Sequence, residues 1–157
     1  MFSGTITVFN QYTDSDDTVT WYPHILTNIH LELNKSQLIK KYGVECADKA
    51  EAYVAYVLSD DGSRTITDTS DNVLPYLPPK EWKAQESDAL AESITFGEND
   101  FFWVGEWEGD SPVTDTDYSD RLNEGFYAYM NRNEDTVFKI TSAGIYNVIP
   151  HFEVTGK

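Results

Sequence analysis

The sequence predicts a mainly β (α+β) protein: a small antiparallel β-barrel or sandwich with one short helix and one longer helical insertion near 118–131. Three observations lead there. Apolar and polar side chains alternate in about seven short runs, the period of half-buried strands. Turn-forming residues recur every 8–15 positions or so, the spacing of meandering β folds. Only one region, around 118–131, changes to helical spacing.

Thr5–Phe9 alternates cleanly, Thr13–Asp17 is a polar turn, and Thr18–Tyr22 reads as the return strand of a loose hairpin that Pro23 is expected to end. In the run 25–33, Ile29, Leu31 and Leu33 share one face, with Asn28, His30 and Glu32 on the other. Tyr53–Leu58, β-branched and aromatic, reads as a strand buried on both faces. Asp60-Asp-Gly-Ser63 is a turn. In Leu74–Ala84, Pro79 suits the first position of a short helix whose Trp82 faces the core. Ile94–Phe96 and Phe101–Val104 read as strands joined by a turn at Gly97–Asp100, and Gly109–Asp117 as a loop. Leu122, Phe126, Tyr129 and Met130 fall on one helical face, with Asp117 or Ser119 placed to cap the start; Gly125 in the middle weakens the helix. Thr136–Thr141 and His151–Thr155 are two further alternating strands, with a turn built on Gly144 and Pro150. Residues 1–157 are expected to form one domain, with loop insertions at about 35–50 and 109–134. The core candidates are Trp82, Phe101, Trp103, Phe138 and Phe152.

The formal net charge is −16. Between Glu98 and Glu124 there are 9 acids against Arg121. Such a surface repels nucleic acid and anionic membranes. Aromatic content of 14% argues for a packed domain rather than a disordered acidic tail. No apolar run approaches the roughly 18 residues of a membrane span, and Met1–Val8 lacks the layout of a signal peptide. One cysteine, Cys46, excludes an internal disulfide framework and suits a reducing cytoplasm.

Chemistry is hard to find. Glu98, Asp100, Glu106 and Glu108 supply carboxylates, but a hydrolytic pair needs one acid in an apolar pocket at a set distance from the other. A solvated rim on a strand with a buried face explains them more simply. Asp14-Ser-Asp16 and Asp115-Thr-Asp117 imitate the start of a calcium loop without its glycine and closing glutamate. His24, His30 and His151 have no zinc-type spacing, and no nucleophile elbow or phosphate-binding glycine loop is present. Trp103 and Trp107 would suit a sugar or base platform, but the acids beside them disfavour a polyanion, and contiguous Phe101-Phe-Trp103 fits a core strand. No enzyme, cofactor or metal is expected.

Three pieces do resemble a known family. Leu77-Pro-Pro-Lys-Glu-Trp82, Asn99-Asp-Phe-Phe-Trp-Val-Gly-Glu106, and the run from Phe138 to Asn147 followed by Pro150–Lys157 resemble structural proteins encoded among the head–tail joining genes of tailed bacteriophages of Gram-positive hosts. The closing motif is the most specific. This chain has Phe152 where tryptophan is commoner, and lacks the arginine often found after the turn asparagine. The resemblance implies a virion neck protein of the head-closure (stopper) type, with the tail terminator as the alternative. It implies a ring of six copies, or twelve, between portal-bound adaptor and tail terminator, made in the host cytoplasm and encircling genomic DNA that passes without tight binding. No membrane is involved. Six copies at −16 each carry −96, a charge that lets phosphate pass rather than stick. On this reading Glu106, Glu108, Asp110, Asp115 and Asp117 are surface or channel acids, and Lys35, Lys40 and Lys41, in a segment free of acids, are candidate contacts to a partner or to DNA. An acidic DNA mimic and a glycan-binding tail domain are the competing classes.

Overall fold

The computed structural model describes residues 2–33, 49–86, 88–121 and 124–157. Its centre is a closed, six-stranded antiparallel barrel. Two long strands, β1 (Phe2–Thr13) and β2 (Val19–Leu33), form its opening hairpin. The sheet continues from β2 to β3 (Ala50–Ala55), β10 (His151–Gly156), β9 (Val137–Tyr146) and β7 (Phe101–Val104), and β7 pairs back onto β1. Three short strands, β4 (Val57–Leu58), β5 (Arg64–Thr67) and β6 (Val73–Pro75), make a separate small sheet. β8 (Val113–Thr114) lies along the far end of β2. The helices are short: α1 (Pro79–Lys83), α2 (Asp88–Ala91) and α3 (Phe126–Asn133).

Several elements depart from the sequence reading. β2 runs straight through Pro23, so the expected third strand is the second half of the hairpin arm. Pro23 lies between the stretch of β2 paired with β8 and the stretch paired with β3. A missing N–H on that open side costs no ladder bond. Further along, Gly4 faces Ile29 and Ile6 faces Leu26, so two residues of β2 stand opposite Thr5. Asn28 takes φ 58° in this bulge, a conformation asparagine tolerates. The extra residue lets Leu26 and Ile29, three apart, both point into the barrel.

The run 53–58 is not buried on both faces. Val54 and Tyr56 point inward, Ala55, Val57 and Leu58 are exposed, and the chain leaves the barrel after β3 to build the small sheet. Ile94–Phe96 is no strand: it makes a single parallel bridge from Ile94 to Tyr76. All three residues are buried, and Ile94 and Phe96 join the barrel core. β9 continues through Gly144 to Tyr146, and its turn is Asn147–Pro150. The long helix begins at Phe126 rather than near 118. Asp115–Tyr118 is a single 3-10 turn, and Gly125 at φ 101° stops the helix extending backward.

Two cores share one sheet. Inside the barrel lie Ile6, Val8, Leu31, Val54, Phe102, Phe138, Phe152 and Val154. Outside, against the β1–β7 face, lie Phe9, Trp21, Phe101, Val113, Phe126, Met130 and Val137. Alternation along β1 and β7 sends Val8 and Phe102 inward and Phe9 and Phe101 outward. Trp82, Phe101, Phe138 and Phe152 are buried; Trp103 is half-buried against the outer cluster. Trp82 carries the edges of Tyr12 and Tyr22 and donates its Nε1–H to the Ser93 carbonyl (3.3 Å).

Where β10 crosses β9, Gly156 leaves no room for a side chain. A Cβ there would stand 2.7 Å from the Phe138 Cβ and 2.8 Å from the Phe102 ring. Gly156→Ala is therefore expected to lower stability by about 1–3 kcal/mol, read from the urea midpoint at unchanged slope.

Candidate functional surface

The acid-rich segment is built on β7. Four residues enter the sheet between β1 and β9, and the chain then leaves across the outer cluster. Thr7 of β1 holds that exit: its hydroxyl donates to the Gly105 carbonyl (2.9 Å) and accepts from the Trp107 N–H (3.1 Å). Trp107 stands edge-on to Phe9 and Phe126 and donates Nε1–H to the Asp110 carbonyl (2.9 Å). Glu106, Glu108 and Asp110 flank it in solvent. Asp117 is likewise exposed beside Tyr118, whose ring packs on Phe126. These four carboxylates rim the outer aromatic cluster. Among the described residues the one carboxylate–cation contact within 4 Å joins Glu153 to His151, on the far hairpin. The rim charge is not neutralised by ion pairs with described lysines or arginines.

Two acids of this region do something else. Asp115 is half-buried, and its Oδ1 accepts from Trp21 Nε1 (2.7 Å) and from the Phe126 backbone N–H (2.8 Å). It thus caps α3 from 11 residues away, because Gly125, which precedes the helix, has no side chain to do so. A Cβ on Gly125 would meet that carboxylate at 2.6 Å. Asp115 belongs to the fastening of the outer cluster rather than to free surface charge. Its bond to Trp21 spans 94 positions, which no local pattern reveals.

Asp100, expected among the surface acids, is 1% exposed. Its Oδ1 accepts from the Gln11 N–H (2.8 Å), and its Oδ2 from the Gly97 N–H (2.8 Å) and Asn10 Nδ2 (3.0 Å). Burial nonetheless pushes its carboxyl up to about 6, outweighing those three donors. On β2, opposite Val8, burial pushes the His24 imidazole down to about 4.

The remaining candidates are scattered. Lys35, Lys40, Lys41, Cys46 and Leu122 lie outside the described residues. In the Asp14 turn, Oδ1 accepts from the N–H groups of Asp16 (2.8 Å) and Thr18 (3.0 Å). Among the described residues no three of His, Cys, Asp and Glu gather as metal ligands, and no helix is long and apolar enough to cross a membrane.

Fold and surface together define a small closed β-barrel with a second aromatic core on its outside and a rim of exposed carboxylates. The chain belongs to a family described as a family of unknown function, DUF6751, whose model matches residues 1–157. No curated protein and no solved structure matches it.

The two kinds of acid separate by mutation. Asp115→Ala is expected to lose about 1–3 kcal/mol, since it strands the Trp21 and Phe126 donors. Glu106→Gln, Glu108→Gln and Asp117→Asn should stay within about 0.5 kcal/mol of the parent in the same denaturation series. The buried pair separates by pH. Asp100 binds a proton more tightly when folded, so its contribution is present below about pH 4 and lost as pH rises through about 6. His24 has the opposite sign: its contribution is present above its ordinary value of about 6.5 and lost as pH falls through about 4. Between about pH 4.5 and 6, Asp100→Asn should gain stability with rising pH more steeply than the parent, and His24→Leu should lose it, whatever each does to absolute stability.

Proposed function

We propose that this chain is a virion structural protein of the head–tail neck, of the head-closure type, whose copies form a ring around the genome's path; the tail terminator position is the alternative. The observation that carries the reading is the carboxylate rim. Glu106, Glu108, Asp110 and Asp117 are exposed around a closed barrel, with no described lysine or arginine within 4 Å of them. A protein that encircles a polyanion without holding it needs unneutralised negative charge on a rigid support. Each phosphate contact made by a basic lining would release counterions and slow passage. A closed barrel also leaves few sheet edges for unintended pairing. The resemblance of residues 77–82, 99–106 and 138–157 to phage neck proteins supports the same reading. Asp100 and Asp115 are not part of the charge that does this work.

Against a DNA mimic, most of the described acids sit in loops, turns and strands rather than in helical rows at phosphate spacing. Against a glycan platform, Trp107 and Trp103 are half-buried and packed against the outer cluster, and the Trp107 indole N–H is already committed to the Asp110 carbonyl.

The test joins imaging with charge removal. Negative-stain images of the chain mixed with portal complexes should show an added ring at the portal's tail-side end. Particles carrying Glu106→Gln, Glu108→Gln, Asp110→Asn and Asp117→Asn together should assemble a folded subunit but release DNA more slowly. The defect should shrink as salt rises and screening shortens to about 8 Å or less. A chain that never joins portal or tail complexes overturns the proposal.

A further inference from the structure

The β9–β10 hairpin ends in the most exposed apolar surface of the described residues. Val148 is 99% and Ile149 75% exposed, and Tyr146, Val57 and Leu58 extend the patch. This tip is held in one shape. Tyr56 Oη lies within hydrogen-bond distance of the Tyr146 carbonyl (2.9 Å) and Asn147 Oδ1 (2.6 Å), Arg64 Nη2 donates to Asn147 Oδ1 (3.2 Å), and the Tyr56 N–H donates to the Pro150 carbonyl (3.3 Å). A rigid, outward-facing apolar knob gives up little entropy on docking. Its flank is acidic: His151 stacks on Tyr146 and contacts Glu153 (3.2 Å), Glu153 raises the Tyr146 hydroxyl pKa, and Glu51, which accepts from the Tyr53 hydroxyl (3.0 Å), raises that of Tyr53.

At the other end of the same strand is a different feature. Tyr127, Ile140 and Thr141 line an open, mostly apolar groove of about 430 Å³, with Lys139, Lys157 and Glu98 at its edges. Lys139 Nζ sits 5.4 Å from the Tyr127 ring centre. Two lysines against one glutamate make this a locally positive spot on a chain of net charge −16. Beyond Ile140, no described strand pairs with the side of β9 that faces away from β10, so the groove adjoins an open strand edge. From Thr141 to the end of β9 at Tyr146 is roughly 17 Å at the rise of an extended strand, and Val148 lies in the turn beyond it. Knob and groove are therefore distinct patches.

We infer that copies of this chain associate head to tail, the Val148–Ile149 knob of one copy seating in the Tyr127–Ile140 groove of the next. The inference rests on the ring reading and names its contact surface. The occupant is a second copy for three reasons. The groove has room for two aliphatic side chains. The acids flanking the knob complement the lysines flanking the groove. Two different patches on one molecule make a heterologous contact, the kind that closes into a ring when the rotation from copy to copy closes. Elsewhere two such acidic chains repel; at Ile140–Pro150, which holds no Asp, Glu, Lys or Arg, they do not.

In a Cys46→Ser background, a Val148→Cys, Thr141→Cys double variant should form, on mild oxidation, a ladder of covalent multimers reaching the ring size. The two single variants, mixed, should stop at dimers. Ile149→Asp, at an exposed site and checked for an unchanged melt, should be monomeric by light scattering at concentrations where the parent is assembled. A parent that assembles while Ile149→Asp assembles equally and no ladder forms overturns this contact and leaves the ring standing. A parent that is monomeric at every concentration and adds no ring to portal complexes overturns both, and assigns the knob to a different protein.

Discussion

The structure depends on β7 serving two cores at once. A strand of four residues closes the barrel between β1 and β9, and its first two side chains, Phe101 and Phe102, are both fully buried on opposite faces. Each buried phenylalanine is worth about 1.5–3 kcal/mol. Phe102 meets Phe138 inside the barrel; Phe101 stacks on Phe9 and meets Trp21 and Phe126 outside. Losing register by one residue would exchange the two sets and spoil both cores. Asp100, just before the strand, ties that register to β1 through Asn10 and Gln11. Thr7 ties the exit through Gly105 and Trp107. The polar contacts at either end of β7 are thus the fasteners of an aromatic strand that has no length to spare.

That arrangement explains where the charge can go. Both faces of β7 are occupied, so the acids that surround it in sequence are expelled to the loop after Val104 and to the 3-10 turn. The two exceptions are the acids whose oxygens find backbone, side-chain amide or indole donors. Asp100 accepts three hydrogen bonds and Asp115 two. Burying a carboxylate without such partners would cost several kcal/mol. Satisfaction of donors, not sequence neighbourhood, decides which carboxylate of this stretch is structural.

Much of the barrel was legible locally. Strand 101–104, the proline-started helix that buries Trp82, and the alternation of 151–155 follow from side-chain period and from the missing amide of proline. Other features needed the third dimension. A proline inside β2 is tolerated because one side of the strand is open at that point, and this depends on where β3 and β8 lie. The bulge at Asn28 and the departure of the chain after Ala55 reset the two-residue period without marking it in composition. The start of α3 was misplaced because its cap, Asp115, is remote in sequence, and Gly125 acts as a stop rather than a flaw within the helix. The rim acids could be singled out as a group by their density, but the separation of Asp100 and Asp115 from Glu106, Glu108, Asp110 and Asp117 rests on long-range bonds.

A net charge of −16 on one small barrel has a further consequence. The folded state must bear its own repulsion, and among the described residues it rests on two aromatic cores rather than on compensating ion pairs; these residues contain one carboxylate–cation contact, to a histidine. Such a surface discourages indiscriminate association, because any two copies meeting at random face like charge within a Debye length of about 8–10 Å. Association is then confined to where charge is absent or opposite. On the described surface that condition is met along the β9–β10 hairpin, with its uncharged tip and its lysine-edged base. On the proposed reading, the same excess of acid that would keep DNA from adhering would also select the direction in which copies approach one another.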